Sequence, residues 1–343
     1  MNRFSATKPA GGRSVDEITG SRRLRRMRKT PWSRRLVQEN KLTADDLIWP
    51  IFVIDGENRR EPIAAMPGVF RLSLDMAVKE AEHAASLGIP AIATFPYVDM
   101  ALRDDTGSHI LDPDNIINRA SRAIKAAVPE IGIITDGALD PFTSHGHDGI
   151  LRGGIIVNDE TVEQVAAAAV IQAASGADII APSDMMDGRI GAIRDALDVN
   201  GFQDVAIMSY ATKFASAFYG PYREAVGTAG LLKGDKKTYY IDHANSDEAL
   251  REAEQDLLEG ADMLMVKPGL PYLDIIRRIK DEFSVPTFAY QVSGEYAMIK
   301  AAGANGWIDE ERAMLESLLC LKRAGCDGIL TYFAPRVAEI LRG

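Results

Sequence analysis

The segment VAIMSYATK (residues 205–213) is an apolar run of strand length that ends in a lysine, and ADMLMVKPG (261–269) has the same form. Such runs are typical of strands buried in a parallel sheet, whose carboxyl ends bind ligands. A lysine at this point loses hydration and, beside a second cation, part of its proton affinity. Lys213 and Lys267 therefore indicate amines that form Schiff bases with ketones or aldehydes, although one such lysine alone could simply extend into solvent.

Eight predicted strands alternate with alanine-rich amphipathic stretches from about residue 48 onward, which is typical of repeated βα units. In order they are IWPIFVI (48–54), IPAIATF (89–95), IGIITD (131–136), ADIIAPSD (177–184), VAIMSYA (205–211), DMLMVK (262–267), TFAYQVS (287–293) and GILTYF (328–333). Eight is the number that closes a TIM (β/α)8 barrel. An open doubly wound sheet is the alternative, but no GxGxxG fingerprint follows an early strand.

Four glycines support this organisation. Gly88, Gly176, Gly260 and Gly325 each stand after a helical stretch and just before a predicted strand. Glycine at such a position fits the left-handed residue that ends a helix, so these four residues predict helix ends.

Composition narrows the class of protein. The 343 residues are 46% hydrophobic and 26% charged, as in an ordinary globular protein, and the net charge of −10 argues against nucleic acid as a general partner. Cys320 and Cys326 are the only cysteines, too few for a disulfide framework or a thiolate zinc cage. No apolar run approaches the roughly 18 residues of a membrane span, and the start lacks the apolar block of a secretion signal. We therefore expect a cytoplasmic protein without membrane contact.

Residues 1–40 lie outside the βα pattern, and residues 41–343 form the predicted barrel domain. The first segment is turn-rich and then strongly basic, with SRRLRRMRK at 21–29. It has too few apolar positions for a core, so we interpret it as an arm that lies on an acidic surface of a neighbouring subunit. Binding to RNA or another phosphate surface, and plain disorder, are the alternatives.

Polar residues follow nearly every predicted strand. If the strands form a barrel, these side chains converge on one rim. Asp184 and Asp187 are the exception, because they precede a helical stretch and are better interpreted as its caps. The remaining rim residues are Asp136, Asp140, Ser183, Lys213, Lys267, Ser293 and Tyr332.

The loop TDGALDPFTSHGHDG (135–149) is crowded with carboxylates and two histidines. Such a set could bind a divalent cation, and its hard oxygen ligands favour magnesium over zinc. A polar active-site loop without metal explains the composition equally well.

The connection after the fifth predicted strand, about residues 214–246, is far longer than a usual βα loop, and such loops are commonly lids. Tyr219, Tyr222, Arg223, Lys236 and Tyr240 lie within it. Its cations could close onto an acidic substrate. A surface excursion with ordinary charges is the alternative.

The chain resembles the porphobilinogen synthase (5-aminolevulinate dehydratase) family from about Arg22 to its end. Five motifs together carry the resemblance: DPFTSHGHDG (140–149), APSDMMDGRIGAIR (181–194), SYATKFASAFYGPYREA (209–225), MLMVKPGLPYLDI (263–275) and YQVSGEYAM (290–298). The resemblance implies a TIM barrel that condenses two molecules of 5-aminolevulinate to porphobilinogen, with loss of two waters.

The resemblance also implies residue roles. Lys267 would bear the Schiff base to the substrate that supplies the acetyl-derived side, and Lys213 the one to the propionyl side. Of the remaining implied positions, Arg223 and Lys236 would hold one carboxylate, Ser293 and Tyr332 the other, and Asp136 would lie near the amino group; Ser183, Tyr219 and Tyr222 complete the predicted substrate site.

Two departures from the family pattern bear on metals. Ala138, Asp140 and Asp148 stand where the zinc-using branch has three cysteines, so no zinc is expected, and no organic cofactor is implied. Glu252 matches the glutamate that serves an allosteric magnesium at a subunit boundary in magnesium-stimulated members. Tyr240 replaces a glutamine that is frequent in the lid. The family further implies a homo-octamer, with a hexamer as the alternative.

Two other functions remain open from the residues alone. A class I aldolase on the same fold would use one Schiff-base lysine and leave Lys213 unexplained. A catalytically silent oligomeric scaffold would need neither strand-end lysine nor a cationic lid.

Overall fold

A closed ring of eight parallel strands lies at the centre of the computed structural model, which describes residues 24–232 and 234–343. In chain order they are β1 Leu47–Val53, β2 Ala91–Pro96, β3 Gly132–Asp136, β4 Ile179–Ala181, β5 Ala206–Lys213, β6 Met263–Lys267, β7 Thr287–Gln291 and β8 Gly328–Thr331. Each strand pairs with the next, and β8 returns to β1 with Ile329 opposite Leu47. The predicted TIM barrel and its eight strands are confirmed, with β8 ending one residue before Tyr332.

Helix α1, Pro31–Leu36, lies before the first strand. The other helices follow the strands and cover the barrel. They are α2 Leu74–Ser86, α3 Ile116–Ala127, α4 Asn158–Ala174, α5 Arg189–Val199, α6 Gly220–Ala225, α7 Asp247–Leu258, α8 Leu273–Phe283, α9 Ser293–Ala304, α10 Glu310–Ala324 and α11 Ala334–Arg342. Short 3-10 helices cover Leu24–Arg28, Ala44–Asp46, Met100–Leu102, Ser108–Leu111, Ala217–Tyr219 and Leu270–Tyr272. Short strands Arg60–Pro62 and Phe70–Leu72, and Ile150–Arg152 and Ile155–Val157, form two antiparallel pairs.

The barrel strands are buried on both faces, which explains why their sequences are apolar without alternation. Every residue of β8 is buried, and Leu264, Met265 and Val266 of β6 have no exposed surface. One face of each strand meets the barrel interior and the other meets the helices. The charged side chains of β3, β5 and β6, namely Asp136, Lys213 and Lys267, therefore stand at the strand ends.

The glycine prediction is also confirmed. Gly88, Gly176, Gly260 and Gly325 have φ of 76°, 99°, 106° and 121°, and each follows the end of a helix. A side chain would be strained in this left-handed region.

At the amino-terminal end of the barrel, carboxylates link neighbouring strands by accepting their backbone N–H groups. Three aspartates do this, each two residues after one of these glycines. The bonds are Ile133 N–H to Asp178 at 2.8 Å, Ile207 N–H to Asp262 at 2.7 Å and Thr287 N–H to Asp327 at 2.8 Å.

A register shift lies between β5 and β6. Met263 is opposite Met208, but Lys267 is opposite Lys213, so β5 contains one residue more than β6 between these pairs. In an unbroken ladder Lys267 would be opposite Thr212, and Lys213 would point to the other face of the sheet. The shift therefore brings the two lysines to the same face, side by side.

Residues 24–41 form a unit distinct from residues 42–343. Its helix α1 begins with a reciprocal capping box, in which Thr30 Oγ1 accepts the Ser33 N–H and Ser33 Oγ accepts the Thr30 N–H. Leu24, Trp32 and Leu36 are mostly exposed. Residues 1–23 of the predicted arm lie outside the described residues, and the subunit contact of the arm stays a prediction.

Candidate active site

A small cavity at the carboxyl ends of the strands contains both lysines. Its lining consists of strand-end and lid residues that the sequence analysis identified. They are Asp140, Ser183, Lys213, Tyr219, Tyr222, Arg223, Lys236, Tyr240 and Lys267. Asp136, Ser293 and Tyr332 are not among these residues, but they bond Ser183, Tyr222 and Tyr290 respectively.

Lys213, the last residue of β5, is surrounded by groups that attract an ammonium. Its Nζ donates a hydrogen bond to the carbonyl of Ser183 and lies 3.5 Å from a carboxylate oxygen of Asp148. The ring of Tyr240 covers it, with Nζ 4.4 Å from the ring centroid. Each of these contacts favours a positive charge at this position.

Lys267, the last residue of β6, has a different environment made of aromatic rings. Its Nζ lies 4.8–5.4 Å from the centroids of four tyrosine rings, those of Tyr210, Tyr219, Tyr222 and Tyr290. Burial and the nearby charge of Lys213 lower the pKa of Lys267 to about 7, and the charges of three aspartates oppose the shift. A large fraction of this amine is therefore neutral, and nucleophilic, near neutral pH.

Asp136, the last residue of β3, contributes a buried carboxylate beside the lysines. Burial raises its pKa, and the charges of Lys213 and Lys267 and a hydrogen bond from Ser183 oppose the shift. Within residues 24–232 and 234–343, its Oδ1 is buried without a hydrogen-bond partner. An unpaired acceptor of this kind suits a donor supplied by a ligand, such as an amino group.

Asp140 and Asp148 share the loop after β3, but their pKa values are shifted in opposite directions. Burial raises the pKa of Asp140 to about 6, with Lys236 at 3.9 Å opposing it. Burial acts on Asp148 too, but there the charges of Lys213 and Lys236, with the Tyr240 hydroxyl, lower the pKa to about 2. Asp148 is thus a permanent anion on which three side chains converge.

The same loop does not fit zinc. Ala138 offers no ligand, and Asp148 is already bound to Lys236 at 2.8 Å. Cys320 lies in α10 and Cys326 lies just before β8, at the other end of the barrel from this loop. Among the residues that the structure describes, no group of three or more His, Cys, Asp or Glu side chains could hold a metal ion.

The first half of the lid is held by two arginines from outside it. Arg71 donates to the carbonyls of Glu224 and Ala225, at the end of α6, and Arg103 donates to the carbonyl of Val226 at 2.9 Å. Cations at the carboxyl end of a helix satisfy its unpaired carbonyls. These bonds fix α6, which carries Tyr222 and Arg223, over the barrel.

The second half of the lid closes on Asp148. Lys236 and the Tyr240 hydroxyl both donate to its carboxylate, and Tyr239 contacts His147 at 3.0 Å. Asp148 therefore holds this half of the lid closed over the site.

Ser293 and Tyr332 lie on the Lys267 side of the site. Ser293 Oγ, at the start of α9, accepts the N–H of Tyr222 at 2.9 Å. The Tyr332 hydroxyl is 2.7 Å from that of Tyr290, whose ring is one of the four around Lys267. Ser293 and Tyr332 thus contact tyrosines of the Lys267 environment, whereas Lys236 of the lid shares Asp148 with Lys213.

The sequence interpretation of Asp184 and Asp187 is wrong. Helix α5 has Gly188 as its N-cap, with no side-chain cap. Asp184 is instead buried 3.8 Å from Nε of Arg189, and burial raises its pKa to about 6. Its Oδ1 accepts the N–H of Met186 at 2.9 Å, so the carboxylate closes the turn before the helix and does not reach the first N–H groups of α5.

Sequence reasoning missed this buried arginine and the tyrosine cage. Arg189 pairs with Asp256 of α7 at 3.0 Å and with Ser209 of β5 at 3.2 Å. Nothing in the local pattern distinguishes Arg189 from a surface arginine. Tyr210 and Tyr290 were counted as apolar strand residues; their position three residues before Lys213 and before Ser293 was the only available signal.

Glu252 lies outside the lysine cavity, in a larger cavity of about 730 Å³ that Asp187 and Glu248 also line. Burial and the charge of Asp256 raise the pKa of Glu252. Glu252 is one turn of α7 before Asp256, which connects it through Arg189 to β5.

Within the described part of the chain, no helix is long and apolar enough to cross a membrane. The family model for delta-aminolevulinic acid dehydratase matches residues 21–340. The chain is 64% identical to the delta-aminolevulinic acid dehydratase of Bradyrhizobium diazoefficiens, covering 93% of this chain and 91% of the relative. It is 56% identical to that of Rhodobacter capsulatus, covering 93% and 96%.

A solved structure agrees with these relatives. The crystal structure of the Toxoplasma gondii delta-aminolevulinic acid dehydratase, in complex with the reaction product porphobilinogen, superposes with a TM-score of 0.91 at 48% identity. The match covers 93% of this chain and 91% of that one. On these similarities, the chain belongs to the delta-aminolevulinic acid dehydratase family.

Proposed function

We propose that this chain condenses two molecules of 5-aminolevulinate into porphobilinogen, with loss of two waters, as an early step of tetrapyrrole biosynthesis. Membership of the family supports the reaction. The observation that carries the proposal is the pair Lys213 and Lys267, in register and buried in one cavity.

Each lysine activates one substrate. The amine nitrogen bonds to the ketone carbon, the C–O bond breaks, the oxygen leaves as water, and an iminium remains. The iminium withdraws electrons from the adjacent carbon, which loses a proton and can form the new C–C bond. Because both substrates are held in a fixed mutual orientation, positioning alone can be worth on the order of 7–11 kcal/mol.

Two sets of groups hold the substrate carboxylates. Arg223 and Lys236 of the lid bind one, and Ser293 and Tyr332 bind the other. Lys236 of the first set shares Asp148 with Lys213, and the second set contacts two of the tyrosines around Lys267. The assignment of the acetyl side to Lys267 stays a prediction from the sequence. A single-turnover experiment tests it: labelled substrate is bound first, unlabelled substrate follows, and the position of the label in the product is determined.

The remaining predicted site residues orient the reacting groups. The unpaired oxygen of Asp136 receives the substrate amino group. Ser183 bonds Lys213 through its carbonyl and Asp136 through its hydroxyl. Tyr219 donates to the carbonyls of Phe214 and Lys267, and the ring of Tyr222 shields the Lys267 amine.

Production of pyrrole from 5-aminolevulinate as the sole substrate tests the function. We expect pyrrole to form, and Lys213→Ala and Lys267→Ala each to abolish it. A class I aldolase would form a Schiff base without pyrrole, and a scaffold would form neither; either result would reject the proposal.

Magnesium is the metal that we propose, at Glu252, without zinc and without an organic cofactor. Glu252 would supply one hard carboxylate ligand, with water and groups of a neighbouring subunit completing the shell. Burial and the charges of Asp256, Asp187 and Glu248 raise the pKa of Glu252, and a bound cation would offset that repulsion. Bound there, magnesium would supply charge neutralisation and stabilise the active assembly. Glu252 is connected through Asp256 and Arg189 to the strand that carries Lys213.

A magnesium titration that records activity and oligomer size tests this site. We expect Glu252→Ala to lose the response in both, and the matched variant Glu254→Ala, exposed on the same helix, to keep it. An unchanged response in Glu252→Ala would reject the allosteric assignment. Strict zinc dependence of the parent chain would reject the interpretation of the aspartate loop.

We further propose a cytoplasmic homo-oligomer, an octamer with a hexamer as the alternative, that contacts neither nucleic acid nor membrane. The basic arm, with apolar side chains exposed on α1, supports a role in assembly. Removing residues 1–30 is expected to reduce the size of the oligomer in light scattering while the barrel stays folded. Persistence of the full-size oligomer would exclude the arm from assembly.

A further inference from the structure

Glu295 is a fully buried carboxylate at the junction of two parts of the site. It lies in the first turn of α9, two residues after Ser293. Oε2 accepts the N–H of Val292 at 2.7 Å, which is the bond that a glutamate at this helix position makes in a capping box.

Two further bonds of Glu295 leave its own helix. Oε1 accepts the N–H of Leu270 at 2.7 Å, and Oε2 also accepts the N–H of Gly269 at 3.2 Å. Gly269 and Leu270 follow directly after Lys267 and Pro268. Helix capping explains only the bond to Val292, so these two bonds need another explanation.

The carboxylate of Glu295 thus joins the chain just after the Schiff-base lysine to the chain just before Ser293. Burial raises its pKa to about 7, and the three backbone N–H donors oppose that shift. Backbone N–H donors hold a carboxyl group in a fixed place, since they cannot rotate away as side chains do.

The same helix start also receives the lid. Ser293 Oγ accepts the Tyr222 N–H, and a Cβ on Gly294 would come within 2.5 Å of the Phe218 carbonyl oxygen. Moving the first turn of α9 would therefore move the Ser293 hydroxyl together with the residues on which this part of the lid packs.

We propose that Glu295 is a positioning residue that sets the distance between Lys267 and the carboxylate site at Ser293. One substrate molecule must reach both points at once, with its ketone carbon bonded to Nζ and its carboxylate at the hydroxyl. The inference rests on the proposed function. A misplacement of about 1 Å can reduce a rate by about 10²-fold, so fixing the distance between Lys267 and Ser293 contributes substantially to the reaction rate.

Two ketones separate positioning from reactivity. 5-Aminolevulinate has the ketone and the carboxylate, whereas aminoacetone has the ketone and the amine but no carboxylate. Either ketone forms an iminium on Lys267 with loss of water, and borohydride adds hydride to the iminium carbon to give a stable amine. Peptide mapping measures the adduct, and the ratio of trapping efficiencies, 5-aminolevulinate over aminoacetone, reports the contribution of the carboxylate site.

We expect Glu295→Gln to lower this ratio by roughly tenfold to a hundredfold and to leave aminoacetone trapping at Lys267 unchanged. The amide keeps the size of the side chain but turns an N–H group toward one of the backbone donors. Glu295→Asp, which keeps the charge on a shorter arm, is expected to lower the ratio less, and it replaces the glutamine variant if that chain does not fold.

Asp46→Asn is the matched control. Asp46 is also a buried acid in the first turn of a helix, accepts the Thr43 N–H at 2.7 Å, and lies before β1 at the other end of the barrel. It is expected to lower the melting temperature without changing the ratio. An unchanged ratio in the Glu295 variant, including a parallel loss with both ketones, would overturn the proposal. Failure of the proposed function would instead appear in the unsubstituted chain, as absence of pyrrole and of adduct.

Discussion

Lys213 and Lys267 occupy equivalent places on neighbouring strands, but their surroundings differ in kind. Lys213 meets a carbonyl, a carboxylate and one ring. Lys267 is enclosed by four tyrosine rings, and burial beside a like charge lowers its pKa to about 7. The fold places two identical amines side by side, and the neighbours alone make them chemically distinct. An enzyme that treats two identical substrates differently needs such a difference.

Removing each lysine in turn tests the comparison at its largest expected effect. Lys267→Ala is expected to lose pyrrole formation by several orders of magnitude and to lose the dominant borohydride adduct. Lys213→Ala is expected to lose pyrrole as severely but to keep the adduct at Lys267, because the burial that lowers the pKa of Lys267 remains. Lys79→Ala, at an exposed helix position, serves as the control. Equal adducts at both lysines in the parent chain would contradict the difference between the two environments.

The pH dependence of trapping provides a more sensitive test. With a pKa of about 7, the neutral fraction of Lys267 rises as the pH increases through 7, so the trapping rate with aminoacetone is expected to rise there and then level off. Lys213→Met removes a like charge and leaves Asp148 less neutralised, and both changes favour the ammonium of Lys267. The midpoint is therefore expected to move to higher pH. A midpoint that stays in place would show that Lys213 does not act on Lys267 through its charge.

Substitutions of Tyr240 have the smallest expected effect, and they separate the contribution of its ring over Lys213 from that of its bond to Asp148. Tyr240→Phe keeps the ring over Lys213 but loses the bond to Asp148, so the closed lid is weakened and KM is expected to rise a few-fold with little change in kcat. Tyr240→Gln keeps a donor for Asp148 and loses the ring, so KM is expected to stay near that of the parent. Steady-state kinetics distinguish the two. Equal KM values for both variants would mean that the Tyr240 hydroxyl does not hold the lid closed.

The strands, the barrel and both lysines could be predicted because each depends on local sequence. Apolar runs, helix-ending glycines and polar strand ends are visible within a few residues. The tyrosine cage and the Arg189–Asp256 pair could not be predicted, because they join segments that are distant in sequence. Asp184 shows a different limit: its local pattern indicates a helix cap, but its carboxylate bonds the Met186 N–H and faces Arg189, five residues later, whose burial the local sequence does not reveal. Glu295 has a local capping pattern that is correct but incomplete.

The one-residue shift between β5 and β6 has a consequence for how such a site can arise. Side chains alternate between the two faces of a strand, so one inserted residue turns every later side chain to the opposite face. Without the shift in register, the extra residue of β5 would turn Lys213 toward the helices, and the barrel would have a single reactive amine. Because the shift accommodates the extra residue, Lys213 stays on the face of Lys267, and the spacing of neighbouring strands, about 4.8 Å, sets the separation of the two lysine backbones. A local change of register at one position of one strand pair thus decides whether the barrel presents one amine or two to its ligands.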